Sequence, residues 1–369
     1  MPALRRIVPK VDYLAILGEA WAQHLAPREA NAPTVISTFS GAGGSSLGYS
    51  MSGYREPLAV EWDDNAVATF KLNFPDVPVY HGDIAKLSVE QVLEMTGLQP
   101  GQLDVFDGSP PCQGFSTAGK RNIDDSRNQL FREYVRLLRG LKPKVFVMEN
   151  VSGMVKGKMK LVFVEILKEL KASGYKVSAR LLNAMYFNVP QSRQRLIFIG
   201  VRNDLGVEPS HPKAMCNPPT VGDAISSLEF EEYNEALCHI WQTNSATANE
   251  RIARVPEGGK LANYGYTFVS AYRRVDRRKP CPTLTAGGIG SCASGSSWYS
   301  HFKHNRGLSG REGARIASFP DGFVFVGKAC DMCSRIGNSV PPLFMRAIAG
   351  HIRDEILHDA TGREPVRVE

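Results

Sequence analysis

Short apolar runs that alternate with segments of helical periodicity constrain the fold of this chain more than any other feature. The apolar runs occupy residues 34–39, 57–62, 77–83, 103–108, 144–150, 175–182 and 195–201. Between them, residues 126–139 and 158–171 repeat their apolar positions at the spacing of an α-helix. Because strands that alternate with helices usually pair in parallel, the pattern predicts an α/β fold with a doubly wound, mostly parallel sheet.

The segments that flank this alternating region have a different character. Residues 11–25 have the spacing of an amphipathic helix, and residues 342–358 predict a closing helix. Residues 202–300 are rich in Pro, Gly, Ser and Asn and carry no long periodic pattern, whereas regularity returns near residue 311. We therefore predict a helical extension at 1–33, a main domain at 34–201 that 311–369 completes, and a second, smaller irregular domain at 202–310.

The composition is that of a globular protein with a basic balance. Of the 369 residues, 43% are hydrophobic and 22% are charged, which permits a sizeable core. The net charge of +7 and the pI near 9.0 favour a polyanionic partner, although charge alone leaves the choice open. Seven scattered cysteines indicate free thiols in a reducing compartment, and the pair Cys330 and Cys333 lacks the further ligands that would predict a metal. No apolar run approaches the roughly 18 residues of a membrane span, so we expect a cytoplasmic protein without membrane contact.

A glycine-rich turn follows the first predicted strand, in the sequence SGAGGSSLG at residues 40–48. Glu61 ends the second run, Trp62 follows it, and Asp83 ends the third. Carboxyl ends of adjacent parallel strands bind ligands, so the carboxylates could accept from ribose and from an exocyclic amine, and the indole could stack on adenine. Each also has a plain structural alternative, as a helix cap or as core. The turn does not have the G-x-G-x-x-G spacing and no G-x-x-x-x-G-K-[ST] occurs, so we predict S-adenosyl-L-methionine as the cofactor.

The fourth and fifth runs end in residues that suit covalent chemistry. Cys112 follows two prolines in GSPPCQGFS, a rigid polar loop that could present a thiol, although a random cysteine is more often structural. Glu149 ends the fifth run, where it could protonate a ring nitrogen or cap a helix. Arg193 and Arg195 alternate in QSRQR and therefore share one face of an extended segment, as a solvated edge or as ligands for a phosphate or a carbonyl.

Taken together, these motifs resemble those of the DNA (cytosine-5) methyltransferase family of bacterial type, over almost everything from Thr34 to Gly350. The matching motifs, in family order, are FSGAGG (39–44), EWD (61–63), GDI (82–84), PPCQGFS (110–116), ENV (149–151), QSRQR (191–195), RRKPCPTLTA (277–286) and GNSVPP (337–342). The resemblance implies the S-adenosylmethionine-dependent methyltransferase fold. It also implies that the C-terminal helix returns to the first domain beside the glycine-rich turn.

The resemblance assigns roles to the site residues. Cys112 adds to C6 of a flipped cytosine, Glu149 engages N3 and the exocyclic amine, and Arg193 and Arg195 steady the base and the loop, with Arg195 the better candidate for O2. The methyl group then goes to C5, and loss of the C5 proton releases the cysteine. The implied cofactor residues are Phe39, Ser40, Gly41, Gly43, Glu61, Trp62, Asp83, Ile84, Pro110, Asn338 and Val340.

Double-stranded DNA is the partner that the resemblance implies, and base flipping requires phosphate contacts that hold the duplex. We predict DNA contacts from Gln113, Ser116, Arg273, Arg274, Arg277 and Arg278, with Lys279 beside them in the same basic run. The 34–201 unit is then catalytic and the 202–310 unit recognises the target, with Asn244, Arg251, Arg254 and Tyr264 as unranked readers. We expect a monomer in a bacterial, nucleoid-associated setting, in a restriction-modification or solitary system, where a cognate endonuclease would act separately.

Two other functions fit parts of the pattern. A tRNA cytosine methyltransferase would share the scaffold, although GFS at 114–116 favours the DNA branch. A catalytically silent DNA-binding protein would not need Cys112, Glu149 and the cofactor residues.

Overall fold

The structure is a computed structural model. It describes residues 12–111, 129–155, 157, 159–215, 217–229, 231–232, 234–235, 238–241, 246–260, 273–289 and 299–361. The strands are β1 (Thr34–Thr38), β2 (Arg55–Glu61), β3 (Val79–His81), β4 (Val105–Gly108), β5 (Val145–Val151), β6 (Tyr175–Asn183), β7 (Gln191–Ser192), β8 (Gln194–Arg202), β9 (Arg273–Arg274), β10 (Cys281–Pro282) and β11 (Tyr299–Ser300). The helices are α1 (Tyr13–Leu25), α2 (Gly44–Met51), α3 (Asp64–Asn73), α4 (Val89–Thr96), α5 (Gln129–Leu141), α6 (Met159–Ala172), α7 (Val221–Ile225), α8 (Ala246–Ala253), α9 (Gly310–Ile316), α10 (Ala329–Asn338), α11 (Pro342–His351) and α12 (His358–Thr361).

A seven-stranded sheet in the order β3-β2-β1-β4-β5-β8-β6 forms the centre of the molecule. The strands from β3 to β5 pair in parallel, whereas β8 is antiparallel to both β5 and β6. Each predicted apolar run overlaps one of these strands, and the α/β, mostly parallel prediction is confirmed. Because the chain runs outward from β1 to β3 and then returns to β4 on the other side of β1, the sheet reverses its winding between β1 and β4.

Alternate residues of the central strands point into two cores on opposite faces of the sheet. In β5, Val145 and Val147 join one core, while Phe146 and Met148 join the other. Such fully buried alternation is why the strands appear in the sequence as continuous apolar runs. Gly200 in β8 lies opposite Phe146, and a Cβ there would stand 1.9 Å from the phenyl ring, so the second core requires glycine at this position.

The C-terminal helix α11 packs on α2, directly after the glycine-rich turn. A Cβ on Gly48 would lie 2.6 Å from Cβ of Met345, and one on Gly44 would lie 2.5 Å from the carbonyl oxygen of Val340. The hydroxyl of Tyr54 donates to the carbonyl of Ala349 at 3.0 Å. The expectation that the C-terminal helix returns beside the glycine-rich turn is therefore confirmed, and the helix predicted near the N-terminus is present as α1.

Between β8 and α9, the described residues form short elements: α7, α8, the two-residue strands β9, β10 and β11, and 3-10 turns at Asn203–Leu205 and Ser226–Leu228. β10 pairs with β7, and β9 pairs with β11, apart from the main sheet. The domain limits that the sequence predicts stay a prediction. Among the described helices, none combines the length and the apolar character that crossing a membrane requires.

Candidate active site

A cleft of about 940 Å³ opens at the carboxyl ends of β1 and β4, where the sheet reverses its winding. Open α/β sheets bind ligands at this place because the loops diverge there. Most of the described predicted site residues line the cleft: Phe39, Ser40, Gly41, Glu61, Trp62, Pro110, Glu149, Arg193, Arg195, Asn338 and Val340. The structure therefore brings together side chains that lie up to 301 residues apart, from residue 39 to residue 340.

The glycine-rich turn is held in a left-handed backbone conformation. Phe39 and Gly41 both have φ of 56° and Gly43 has φ of 96°. Positive φ is strained for Phe39, and such strain is common where the surrounding structure fixes a binding loop. The Glu61 carboxylate stabilises the turn, since its Oε2 accepts from the Gly41 amide at 2.8 Å. A side chain at Gly41 would face open space but would meet the same backbone strain.

The Glu61 carboxylate and the Trp62 indole suit an adenosine. Oε1 of Glu61 accepts from the amides of Trp62 and Asp63 at 2.9 and 3.0 Å, which fixes the carboxylate at the cleft. A carboxylate oxygen has two lone pairs, so Glu61 keeps acceptor capacity for ribose hydroxyls. The Trp62 side of the cleft is open, since this residue is 76% exposed. An exposed indole at a cleft rim is a surface on which a planar base can stack.

Three of the predicted cofactor residues do not line the cleft. Gly43 precedes α2, and a Cβ there would lie 2.5 Å from the ring of Phe74. The absence of a side chain at Gly43 therefore allows the Phe74 ring to pack against the turn. Asp83 is exposed and its carboxylate accepts from the Ala85 amide at 2.9 Å, which makes it the cap of a short 3-10 turn. Ile84 is buried in the second core. Asp83 is therefore a cap, which is the structural alternative that the sequence left open. Cofactor contact by Gly43, Asp83 and Ile84 stays a prediction.

Glu149 and Arg195 form an ion pair at the far side of the cleft. Glu149 lies in β5 and Arg195 in the antiparallel β8, with 2.6 Å between Nε and Oε1 and only 13% and 12% of the side chains exposed. A pair so shielded holds both side chains in one geometry more firmly than a surface pair does. The Glu149 carboxyl group and the Arg195 guanidinium therefore both border the cleft. There the carboxyl group can form a hydrogen bond with a ring nitrogen, and the guanidinium can donate to a carbonyl oxygen.

Arg193 is built into the protein interior. Its Nη1 donates to the carbonyls of Leu284 and Gly337 at 2.9 and 3.1 Å, and the residue is 4% exposed. Burial, with a smaller effect of Arg195, lowers the pKa of Arg193 from 12.5 to about 9. Although Arg193 borders the cleft, its hydrogen bonds join QSRQR to the segments around 284 and 337, an attachment that the sequence alone did not predict.

Asn150 anchors Pro110, which precedes Cys112 by two residues in the sequence. Its Nδ2 donates to the carbonyl of Pro110 at 3.3 Å, and the residue is 5% exposed. Pro110 and Pro111 line the cleft beside Glu149. Cys112, Gln113 and Ser116 lie outside the described residues, as do Asn244 and Tyr264. The described chain therefore lines the cleft up to Pro111, the residue before Cys112 in the sequence.

Asp107 lines the cleft but was not singled out by the sequence reasoning. Its carboxyl accepts from the Ser45 hydroxyl at 2.6 Å and the Tyr49 hydroxyl at 3.3 Å, which ties β4 to α2. Burial raises the pKa of Asp107 from 3.8 to about 7, against the hydrogen bonds that favour the carboxylate. Nearby, burial raises the pKa of Glu56 to about 8. The sequence signal that could have identified Asp107 is an acidic residue inside the apolar run 103–108.

The basic run divides into one buried and several exposed residues. Arg274 is 5% exposed, and its guanidinium donates to five oxygens, those of Val255, Ile252, His301, His304 and Asn305. The prediction that Arg274 contacts DNA is therefore wrong, because its donors are used inside the protein. The side chains of Arg277, Arg278 and Lys279 are 60%, 76% and 73% exposed. Arg273 is partly exposed near the Tyr299 ring, 5.9 Å from its centroid.

Comparison with known proteins supports one family. Residues 33–354 match the family described as C-5 cytosine-specific DNA methylase. The chain is 38% identical over 332 residues to Type II methyltransferase M1.HphI of Haemophilus parahaemolyticus, covering 86% of this chain and 85% of that protein. It is 34% identical to Type II methyltransferase M.NgoFVII of Neisseria gonorrhoeae, with coverage of 85% and 84%.

A solved structure has a similar shape. The crystal structure of a protein described as a DNA modification methyltransferase encoded within an E. coli prophage superposes with a TM-score of 0.71 at 26% identity. That match covers 90% of this chain and 100% of the other. The family match extends over the glycine-rich turn, the proline loop, the Glu149–Arg195 pair and the returning C-terminal segment. The chain therefore belongs to the C-5 cytosine-specific DNA methylases.

Proposed function

We propose that this protein transfers a methyl group from S-adenosyl-L-methionine to C5 of a cytosine flipped out of duplex DNA, through a covalent bond between Cys112 and C6. The observation that carries the proposal is the shared cleft. The glycine-rich turn with Glu61 and Trp62 lies in the same cavity as the Glu149–Arg195 pair and the loop that leads to Cys112. Each of these features alone has a structural explanation, but a methyl donor and a base must meet in one volume.

We divide the cleft by the ligand that each part would hold. The donor half consists of Phe39, Ser40, Gly41, Glu61, Trp62, Asn338 and Val340, and the base half of Pro110, Glu149, Arg193 and Arg195. In the donor half, Glu61 would accept from the ribose and Trp62 would stack on the adenine. When bound there, S-adenosylmethionine supplies an electrophilic methyl group on a sulfonium.

In the base half the residues of the protein prepare the cytosine. The Cys112 thiolate adds to C6, and the electron pair of the former C5–C6 double bond becomes available at C5. Glu149 would hold N3 and the exocyclic amine, while Arg195 would donate to O2 and keep Glu149 aimed at the ring. After C5 has taken the methyl group, its proton is lost to solvent, the C6–S bond breaks and the thiolate returns.

The prolines and Asn150 would keep the nucleophile in register with the base. Two consecutive prolines remove backbone freedom from the loop, and the Asn150 bond to the Pro110 carbonyl fixes its distance from β5. Because effective catalysis needs reacting atoms close together and aligned, a loop held at its start is consistent with a nucleophile role. A thiol also needs local help to ionise at neutral pH.

Duplex DNA is the proposed partner, in a restriction-modification or solitary methylation system. The exposed Arg277 and Arg278, with Arg273 beside them, are the proposed phosphate contacts, in a target-recognition unit at 202–310 beside a catalytic unit of 34–201 and 311–369. We expect R278Q to weaken binding of all DNA sequences alike and to reduce the slope of log K against log salt by about 1. R274Q would instead destabilise the fold. An unchanged salt slope in R278Q would remove Arg278 from the interface.

Transfer of label from a methyl-labelled donor tests the function. The wild-type protein is incubated with duplex DNA, with tRNA and without nucleic acid, and label in 5-methylcytosine of the DNA is the expected result. Label on tRNA alone would replace this proposal with the RNA alternative, and label on neither would support a silent DNA-binding protein. Bisulfite sequencing of DNA from expressing cells then identifies the target sequence.

A further inference from the structure

The two flanks of the donor half come from opposite ends of the chain and are joined by one ion pair. Glu61 ends β2 and Trp62 follows it, while Asn338 ends α10 and Val340 lies two residues further on. Nη2 of Arg335 lies 2.9 Å from Oδ2 of Asp63, with 21% and 32% of the two side chains exposed. Arg335 itself lines the cleft. The pair therefore crosses from one flank of the donor half to the other.

Hydrogen bonds along α3 hold this pair in place. Asn73 exchanges two bonds with Val324, donating to its carbonyl at 2.8 Å and accepting from its amide at 2.9 Å. Asn65 donates to the Val326 carbonyl at 2.9 Å. A Cβ on Gly327 would lie 2.0 Å from Nδ2 of Asn65, so the two segments touch without intervening space. The segment before α10 is thus fastened to α3, and Arg335 meets Asp63 at the end of this contact nearest the cleft.

Both neighbours of Trp62 are fixed while its ring is open to solvent. Glu61 accepts from the Trp62 amide, and Asp63 uses its Oδ1 to cap α3 at the Ala66 amide, 2.9 Å away, and its Oδ2 for Arg335. Backbone fixed on both sides limits the directions in which an exposed indole can point. Nε of Arg335 is buried and has no hydrogen-bond partner among the described residues, so the ion pair with Asp63 uses only part of the guanidinium.

We propose that Arg335 is a positioning residue for the methyl donor, acting through its ion pair with Asp63 to hold Trp62 against the adenosine and to keep the two flanks together. This inference rests on the proposed function, because it takes the donor half to be the S-adenosylmethionine site. Arg335 acts on the donor and not on the cytosine. Its loss changes donor affinity and leaves the chemical step intact.

Two variants remove the ion pair by different routes. D63N keeps an oxygen for the cap of α3, because asparagine is a good cap residue, but loses the charge. R335Q removes the guanidinium. Isothermal titration with S-adenosylhomocysteine, the demethylated donor, should show about fivefold weaker binding in each, equivalent to about 1 kcal/mol for a partly buried pair. The KM for the donor should rise by the same factor, while kcat changes less than about twofold, as expected for loss of uniform binding.

A structural defect alone would not give this pattern. R335K should recover part of the affinity, and R139Q, which removes the remote surface pair of Arg139 with Glu169, should bind like the wild type. S-adenosylhomocysteine should protect Trp62 from acrylamide quenching in the wild type, with W62F as the reference, and protect it less in R335Q at saturation. If R335Q fails to fold, D63N decides by the same measurements.

The outcomes separate the inference from the function on which it rests. Wild-type protein that binds no S-adenosylhomocysteine and methylates no DNA would defeat the proposed function. Wild-type protein that binds it, with D63N and R335Q equal to it in affinity and quenching, would overturn the role of Arg335 alone. A fall in kcat without a change in donor affinity would also overturn it.

Discussion

Two walls of the cleft are held by different interactions. One, the strand-end wall, lies at the ends of the sheet strands, and the other, the returned wall, is formed by segments from later in the chain. The strand-end wall, which contains Phe39, Glu61, Asp107 and Glu149, is carried by the ends of adjacent strands that pair through their backbones. The returned wall consists of Arg193 with residues 283–285 and 335–340. It depends on side chains, above all on the Arg193 guanidinium between the Leu284 and Gly337 carbonyls. Loss of Glu149 from the first wall should therefore affect chemistry, whereas loss of Arg193 from the second should affect folding.

The largest expected effect concerns chemistry at the strand-end wall. E149Q should lower kcat by about 100-fold or more, because an amide cannot exchange a proton with N3 of the base. Binding of S-adenosylhomocysteine should stay within error, since Glu149 lies in the base half. Steady-state methylation and calorimetry measure the two quantities. E169Q, on the exposed face of α6, is the matched control, and an E149Q enzyme with normal kcat would contradict the role of Glu149.

Stability should respond most to the returned wall. R193M leaves two buried carbonyls without their donor, so urea denaturation should show a loss of about 2–4 kcal/mol in the free energy of unfolding. R195M removes the partner of Glu149 at the cleft surface and should cost less stability than R193M while lowering kcat more. Equal losses of stability in the two variants would mean that the walls are held in the same way.

The pH dependence of stability should reveal the buried carboxyl of Asp107. Its pKa is about 7 in the folded protein and 3.8 as an ordinary value, so the folded state keeps a proton that the unfolded state loses between these pH values. The free energy of unfolding therefore falls as pH rises through that window. D107N cannot ionise and should gain about 1–3 kcal/mol over the wild type between pH 5 and pH 8.

Urea denaturation at pH 5, 6, 7 and 8 measures this difference for Asp107. D83N, which removes an exposed carboxylate that caps a short turn, should show a nearly constant difference from the wild type over the same range. A constant difference for D107N as well would mean that the carboxyl stays ionised in the folded protein.

The sequence predicted the strand-end wall well because each of its parts is local. An apolar run that ends in a polar residue places that residue at the end of a strand, and this rule predicts the positions of Glu61 and Glu149 from the sequence. The rule misses Asp107 because this residue lies inside β4, one residue before the end of its run. Arg274 was misassigned because sequence does not show whether a guanidinium meets five internal oxygens or a phosphate.

The returned wall could not be derived from periodicity. The contacts of Arg193 with Leu284 and Gly337 join positions 91 and 144 residues apart, and no local rule connects them. Only the family resemblance implied that GNSVPP lies beside the glycine-rich turn. Neither the periodicity of the sequence nor the family resemblance predicted the ion pair of Asp63 with Arg335, which lie 272 residues apart.

Covalent trapping tests the central claim most directly. DNA that contains 5-fluorocytosine in the target site allows addition of the thiolate and methyl transfer, but C5 then holds fluorine in place of the proton that must leave. Incubation with S-adenosylmethionine should give a denaturant-resistant complex of protein and DNA with the wild type. C330S, which alters an exposed cysteine, should give the same complex, and C112S should give none. A complex that forms equally well with C112S would contradict the assignment of Cys112 as the nucleophile.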